Sequence, residues 1–190
     1  MITSAISGSV ELLKALKKAI SPVYEAREAE NISVILIEYF FEMSKTQIIM
    51  DAPFTMLDEE ILDNLNECVS RLIKHEPIQH ILGETEFYGL PFYVNENVLI
   101  PRPETEELVA WILEDHQAEE KFRLIDLGTG SGCIPIAIKK EKPKADISGL
   151  DLSQNALDVA KDNAELNEVK ICLLYTSPSP RDAHESRMPS

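Results

Sequence analysis

The sequence predicts an α/β fold in which a small N-terminal helical bundle precedes the front part of a doubly wound domain. Three observations support this prediction. Apolar residues recur at helical spacing up to about residue 75. A glycine-rich bend at 128–132 follows an apolar strand, and a second strand ends in the acidic Asp151. We expect helices over 1–75, a β-hairpin linker over 76–100 and an α/β domain with an incomplete sheet over 101–171.

The helical part shows one apolar stripe for each expected helix. Leu12, Leu16 and Ile20 step by four, as one buried helix face does. Ser21 before Pro22 predicts a helix restart, because serine caps helices and proline is favoured at the first helical position. Further helices are expected at about 34–40, 46–49 and 57–73. No catalytic cluster occurs here, which leaves core packing and recognition of a protein partner as the two interpretations.

β-Branched and aromatic residues replace the helical pattern over 84–94. The Gly-Leu-Pro sequence at 89–91 predicts the turn of a hairpin that bridges two domains. His75 and His80 lie nearby, with no cluster of further metal ligands next to them. We therefore interpret both as surface or hairpin residues and expect no metal site.

Two prolines flank one arginine before the next expected helix, which covers about 106–114 and opens at Glu104 or Thr105. Pro101, Arg102 and Pro103 predict a stiff, extended segment that loses little entropy on ordering. Together with Thr105, this segment is a candidate wall of an active site. The alternative is a structural linker whose arginine pairs with a carboxylate.

A strand, a glycine-rich bend and a helix follow over 123–138. Apolar residues precede Asp126, as at the end of a buried strand, and glycines occupy positions 128, 130 and 132. Such a bend lets the backbone pass close to a nucleotide-like ligand. A dinucleotide fingerprint needs its third glycine at position 133, which is Cys133 here. The bend instead resembles that of S-adenosylmethionine-dependent methyltransferases; the alternative is a turn that needs glycine only for backbone geometry.

A second strand over 145–152 ends in Asp151, and Ser153 is placed to cap the helix that follows. An acid at the tip of this strand can accept hydrogen bonds from both ribose hydroxyls of a bound adenosine. The candidate cofactor-binding residues are Asp126, Gly128, Thr129, Gly130, Ser131, Gly132 and Asp151.

Composition disfavours several classes of function. The formal net charge is −15, with 33 acidic and 18 basic residues. Binding to nucleic acid is not expected, since phosphate contacts need clustered lysine and arginine. Cys68, Cys133 and Cys172 show no pairing pattern, which favours a reduced protein. The most apolar stretch, 32–41, is too short to cross a bilayer. We expect a cytoplasmic monomer.

Four segments together resemble the protein-(glutamine-N5) methyltransferases that modify peptide-chain release factors. They are Glu-Pro-Ile-Gln-His-Ile-Leu-Gly at 76–83, Phe-Tyr-Gly-Leu-Pro-Phe at 87–92, Ile-Pro-Arg-Pro-Glu-Thr-Glu at 100–106 and Asp-Leu-Gly-Thr-Gly-Ser-Gly at 126–132. The resemblance implies a helical release-factor-recognition domain, a hairpin linker and a Rossmann-like class I methyltransferase domain. It also implies S-adenosyl-L-methionine as cofactor and methylation of the glutamine amide in the Gly-Gly-Gln motif of peptide chain release factors.

The same resemblance implies a second motif, which this sequence lacks. An amide nitrogen is a poor nucleophile, so an enzyme must align it with the methyl group and accept hydrogen bonds from its N–H groups. In the family, an Asn-Pro-Pro-Tyr motif after the fourth strand does this. No Asn-Pro occurs in this sequence. We therefore assign no catalytic residue and expect no methyl transfer by this chain.

The sequence changes character at residue 172. Residues 172–182 resemble a translated transposon-based sequencing adapter, and a polar tail follows. We expect residues 172–190 to be non-native and the chain to be truncated; the alternative is a natural Pro/Ser-rich tail. Because truncation leaves the first strand uncovered, we expect the 190-residue chain to aggregate or to keep only its helical part folded.

Two other functions remain open from the sequence. A methyltransferase of DNA adenine or of a small molecule would share the glycine-rich bend, although the DNA enzymes usually need a basic face. A non-catalytic module would use the helical bundle to bind a protein.

Overall fold

The structure is a computed structural model that describes residues 2, 6, 8–52, 58–116 and 121–176. It confirms the α/β class and divides the chain into two compact units, Met1–Ile81 and Leu82–Ser190. The division falls after the boundary expected at residue 75. It also groups the hairpin with the α/β unit, where the sequence suggested a separate linker over 76–100.

The first unit is helical. Its helices are α1 (Ser9–Ile20), α2 (Ala26–Phe41), α3 (Lys45–Ile49), α4 (Glu59–Ile73) and α5 (Ile78–Leu82). Leu12, Leu16 and Ile20 are fully buried, as their spacing predicted. Among the described residues, no helix is long and apolar enough to cross a membrane.

The predicted helix restart at Ser21 is wrong. Ser21 ends α1 instead: its backbone N–H donates to the carbonyl of Lys17 and its hydroxyl donates to the carbonyl of Lys18. The hydroxyl is therefore directed at the preceding turn. The next helix, α2, begins only at Ala26, after Glu25 in an extended conformation.

The second unit opens with a hairpin of β1 (Glu84–Phe87) and β2 (Leu90–Tyr93), paired antiparallel. The predicted turn at Gly-Leu-Pro is displaced, since Leu90 and Pro91 belong to β2. Tyr88 and Gly89 form the turn, with φ of 53° and 71°. Two successive left-handed residues match the twist of a two-residue hairpin.

Helix α6 (Pro103–Asp115) begins earlier than the sequence suggested. Arg102 is its N-cap residue and Pro103 is its first residue, a position that suits proline because the missing N–H would have no partner there. The extended segment therefore ends at Arg102, and Thr105 lies in the first turn.

The remaining elements form a three-stranded parallel sheet with two crossover helices. They are β3 (Arg123–Leu127), α7 (Cys133–Glu141), β4 (Asp146–Asp151), α8 (Gln154–Leu166) and β5 (Cys172–Tyr175), with strand order β3-β4-β5. The ordered sheet continues past the domain end expected at 171, because β5 pairs with β4. Of the predicted tail, residues 177–190 lie outside the described residues.

One face of this sheet is packed and the other is open. Ile136 and Ile138 of α7 are fully buried in one core with Ile147 of β4 and with Phe87 and Phe92 of the hairpin. On β3, Ile125 and Leu127 are 62% and 74% exposed. The expectation of a buried strand therefore holds for only one face of β3, since neighbouring side chains alternate between faces.

This contrast gives a stability prediction. Ile136→Ala removes methyl groups from a filled core and should lower the free energy of unfolding by about 2–5 kcal/mol. Leu127→Ala is the matched control on the open face and should change it by less than about 0.5 kcal/mol. Urea unfolding followed by circular dichroism measures both, and equal losses in the two variants would contradict the packing described.

Candidate functional site

The glycine-rich bend, residues 128–132 and called the glycine loop below, follows β3 at the carboxyl end of the sheet. Gly128, Gly130 and Gly132 all have left-handed backbones, with φ of 76°, 53° and 77°. The N–H groups of Gly128 and Thr129 donate to the carbonyl of Leu150 at 2.8 and 3.0 Å. The start of the loop is thereby fixed on the end of β4.

Asp151 holds the middle of the glycine loop. Its Oδ2 accepts a hydrogen bond from the N–H of Gly130 at 2.9 Å, and its Oδ1 accepts one from the N–H of Ser153 at 2.9 Å. The carboxylate keeps further lone pairs for a ligand, because each oxygen can accept more than one bond. Sequence reasoning placed Asp151 near the loop but missed that it binds the loop directly.

Asp126 is the second carboxylate of the site. Its Oδ2 accepts a hydrogen bond from the hydroxyl of Thr129 at 2.8 Å. Burial raises the pKa of Asp126 above its ordinary value; the Thr129 bond lowers it in part, and the negative charge of Asp151 raises it further. The site therefore contains a carboxylate whose charge is poorly compensated.

Gly149 is a site residue that the sequence reasoning missed. It pairs with Asp126 across β3 and β4. A Cβ added to Gly149 would lie 2.8 Å from Oγ1 of Thr129. The glycine therefore makes room for the hydroxyl that binds Asp126, and a glycine inside a strand is the signal for such a close approach.

The glycine loop has an open side and a packed side. A Cβ added to Gly128 or Gly130 would meet no atom of the chain within 4 Å. At Gly132 it would lie 3.1 Å from both Cβ of Ala160 and Cδ1 of Ile136. The first two glycines thus border open space, whereas the third lies against α8.

The other predicted residues have different surroundings. Ser131 is buried within the loop, and its carbonyl accepts a hydrogen bond from Asn163 at 2.9 Å. Arg102 is exposed, and its carbonyl accepts a bond from the N–H of Thr105 at 2.9 Å. A wall formed by Pro101, Arg102, Pro103 and Thr105 stays a prediction.

Thiolate chemistry does not fit this site. Burial raises the pKa of the Cys133 thiol to about 11, so the group stays protonated near neutral pH. Within the part of the chain that the structure describes, no group of histidine, cysteine and acidic residues is arranged to hold a metal ion. What the site offers a ligand is open space beside the main chain of Gly128 and Gly130, together with two carboxylates.

Comparison with known proteins confirms the predicted resemblance. The family model for the PrmC N-terminal domain matches residues 11–83, and that for ribosomal protein L11 methyltransferase (PrmA) matches residues 103–186. A release factor glutamine methyltransferase of Flavobacterium psychrophilum is 41% identical over 83% of this chain and 56% of its own length. One of Coxiella burnetii is 43% identical over 74% of this chain and 50% of its own length. The chain thus spans about half the length of these curated relatives.

Solved structures also show similarity, at lower identity. A Pyrococcus abyssi tRNA (uracil-54, C5)-methyltransferase in complex with S-adenosyl-L-homocysteine has a TM-score of 0.41 and 20% identity, over 50% of this chain and 23% of that one. The METTL16 methyltransferase domain has a TM-score of 0.42 and 14% identity, over 87% of this chain and 56% of that one.

The two sides of the glycine loop predict different costs for adding a methyl group. Gly130→Ala should lower the free energy of unfolding by about 1–2 kcal/mol, because alanine is strained in a left-handed conformation. Gly132→Ala has that strain and also crowds Ala160 and Ile136, which should add about 1–3 kcal/mol. Urea unfolding measures both, with Gly128→Ala as a second open-side control. A loss at Gly132 no larger than at Gly130 would contradict the packing on α8.

Asp126 predicts a pH-dependent stability. Its pKa is raised above the ordinary 3.8, so the folded state holds this proton more tightly than the unfolded state does. Ionisation therefore costs stability as the pH rises from about 3.8 through the raised pKa, and the full cost is present above it. Asp126→Asn keeps an acceptor for Thr129 and removes this cost.

Thermal melts between about pH 4.5 and pH 8 test this prediction. The Asp126→Asn variant should melt at a higher temperature than the parent, by a margin that grows with pH. A margin that shrinks as the pH rises would contradict the raised pKa.

Proposed function

Because this chain is related to the N-terminal part of release factor glutamine methyltransferases, we propose that it is the cofactor-binding part of such an enzyme. The cofactor is S-adenosyl-L-methionine, which supplies an electrophilic methyl group when bound. The parent activity is methylation of the glutamine side-chain amide in the Gly-Gly-Gln motif of a release factor. Release factor glutamine methyltransferases that are 41% and 43% identical to this chain support the proposal.

One observation supports the cofactor more than any other: the open side of the glycine loop lies directly beside Asp151. At Gly128 and Gly130 a ligand can approach the main chain without meeting a side chain. Asp151 is bonded to Gly130, so its remaining lone pairs lie at the edge of the same space. They suit the two ribose hydroxyls of an adenosine.

The electrostatics of the site favour the same ligand. The negative charge of Asp151 adds to the raised pKa of Asp126, and no buried cation offsets it among the bonds described for either group. S-adenosyl-L-methionine has a sulfonium and an ammonium group, which would compensate this charge. A nicotinamide dinucleotide has a pyrophosphate instead, which two nearby carboxylates would repel.

The substrate side of the proposal concerns the first unit and the Pro-Arg-Pro segment. Residues 11–83 match the PrmC N-terminal domain, and we assign them to release-factor recognition. Pro101, Arg102, Pro103 and Thr105 are assigned to the wall of the substrate pocket. We further propose a cytoplasmic monomer that binds no nucleic acid, in keeping with the net charge of −15.

We also propose that the 190-residue chain itself transfers no methyl group. It lacks the Asn-Pro-Pro-Tyr motif that would hold the glutamine amide. Binding of cofactor and transfer of methyl are therefore separable in this chain. Incorporation of labelled methyl into a release factor would refute the proposal that this chain is inactive. The same result would support a release factor as the substrate.

Calorimetric titration with S-adenosyl-L-methionine tests the cofactor assignment. Here we propose that the α/β unit of the 190-residue chain folds as described, which departs from the aggregation expected from its truncated sheet. The parent chain should then bind, and Asp151→Asn should weaken binding about 10-fold or more, because a neutral amide makes weaker hydrogen bonds to hydroxyls than a carboxylate does. Asp146→Asn is the matched control, since Asp146 lies at the other end of β4 in an exposed pair with Arg123. Absence of binding, tighter binding of a nicotinamide dinucleotide or equal effects of the two variants would contradict the proposal.

A further inference from the structure

Two asparagine side chains one turn apart are buried at the end of α8: Asn163 in its last turn and Asn167, its C-cap residue. Buried amides are costly unless their hydrogen-bonding groups are paired. Neither residue belongs to the glycine loop or to the carboxylates described above. Their hydrogen-bond partners show which parts of the fold the two side chains hold together.

Asn163 binds two segments that are distant in sequence. Its Oδ1 accepts a hydrogen bond from the N–H of Tyr93 at 2.6 Å. Its Nδ2 donates to the carbonyl of Tyr93 at 3.0 Å and to the carbonyl of Ser131 at 2.9 Å. Both amide hydrogens are thus used, one on the hairpin and one on the glycine loop.

The hairpin needs these bonds because, among the described strands, none lies beside the second edge of β2. Tyr93 lies opposite Glu84, and the next residue, Val94, donates to the carbonyl of Gly83 at 2.9 Å. By the alternation of an antiparallel ladder, the N–H and carbonyl of Tyr93 then point away from β1. Asn167 serves the same edge, since its Nδ2 donates to the carbonyl of Pro91 at 2.8 Å.

The two asparagines differ in one respect that matters for the site. Asn163 alone also binds the glycine loop, at the carbonyl of Ser131. One turn earlier on α8, Ala160 lies against Gly132. The packed side of the loop therefore rests on α8 through one apolar contact and one hydrogen bond.

We propose that Asn163 is a positioning residue that fixes the glycine loop in its ligand-binding conformation and couples the loop to the hairpin. This inference rests on the proposed function only where it concerns the cofactor. Without the bond to Ser131, the packed side of the loop loses its polar anchor. Because coupling between sites is reciprocal, a ligand bound at the loop should also stabilise the Tyr93 end of the hairpin.

Two isosteric substitutions separate this role from ordinary core packing. Asn163→Asp keeps an acceptor for the N–H of Tyr93 but, when ionised, donates nothing to Ser131. Asn167→Asp makes the same chemical change one turn away, where the side chain touches the hairpin and its own helix but not the loop. Both variants should lose stability, and only the first should alter the loop.

Amide hydrogen exchange of the 190-residue chain without ligand is the first readout. The amides of Gly130 and Gly132 should exchange about 10-fold faster in Asn163→Asp than in the parent, and within about 3-fold of the parent in Asn167→Asp. Equal loop exchange in the two variants would overturn the proposal. If Asn163→Asp fails to fold by circular dichroism, Asn163→Ala is measured against Asn167→Ala by the same criterion.

Titration with S-adenosyl-L-methionine is the second readout. Asn163→Asp should bind about 10-fold more weakly than the parent near pH 7 and recover in part near pH 5, because a protonated carboxyl group can donate one bond again. Asn167→Asp should stay within about 3-fold of the parent. Equal weakening in both variants would overturn the positioning role. If the parent itself does not bind while the loop exchange differs as stated, the proposed function fails and the positioning role stands.

Discussion

The hydrogen bond from the N–H of Gly130 to the carboxylate of Asp151 is the interaction on which the site depends. The N–H of Gly132 donates to the carbonyl of Thr129 within the loop, but the N–H groups of Gly128, Thr129 and Gly130 take their acceptors from outside it. The end of β4 supplies them, through the carbonyl of Leu150 and the side chain of Asp151. The acid that is suited to a ribose therefore also shapes the loop that would bind the rest of the ligand.

The proximity of the two carboxylates of the site lowers the stability of the fold when no ligand is bound. Asp126 is half-buried near a second carboxylate, and its pKa is raised. Carboxylates with a raised pKa cluster at functional sites, and a cationic ligand would offset the charge of this one. Stability and binding thus make opposite demands on Asp126, which is why one substitution there is expected to improve the fold and impair the site.

The sequence predicted those parts of the site that depend on local pattern. The glycine spacing, Asp126 before it and Asp151 one strand later all lie where expected, because strand, bend and helix follow from neighbouring residues. Gly149 and Asn163 were missed because their roles arise from contacts across strands and between α8 and the hairpin. The exposed face of β3 was missed for a related reason: apolar residues on a strand do not reveal whether both faces are covered. Errors at Ser21, at the hairpin turn and at the start of α6 concern only the ends of elements, where several local signals compete.

Amide chemical shifts measured during titration with S-adenosyl-L-homocysteine test the central claim most directly, since that compound has the adenosine but no reactive methyl group. We expect the largest shifts at Gly128, Gly130 and Asp151, and none among the helices of Met1–Ile81. Shifts confined to other regions, no shifts at all, or the same shifts with a nicotinamide dinucleotide would contradict a glycine loop built around Asp151 for an adenosyl group.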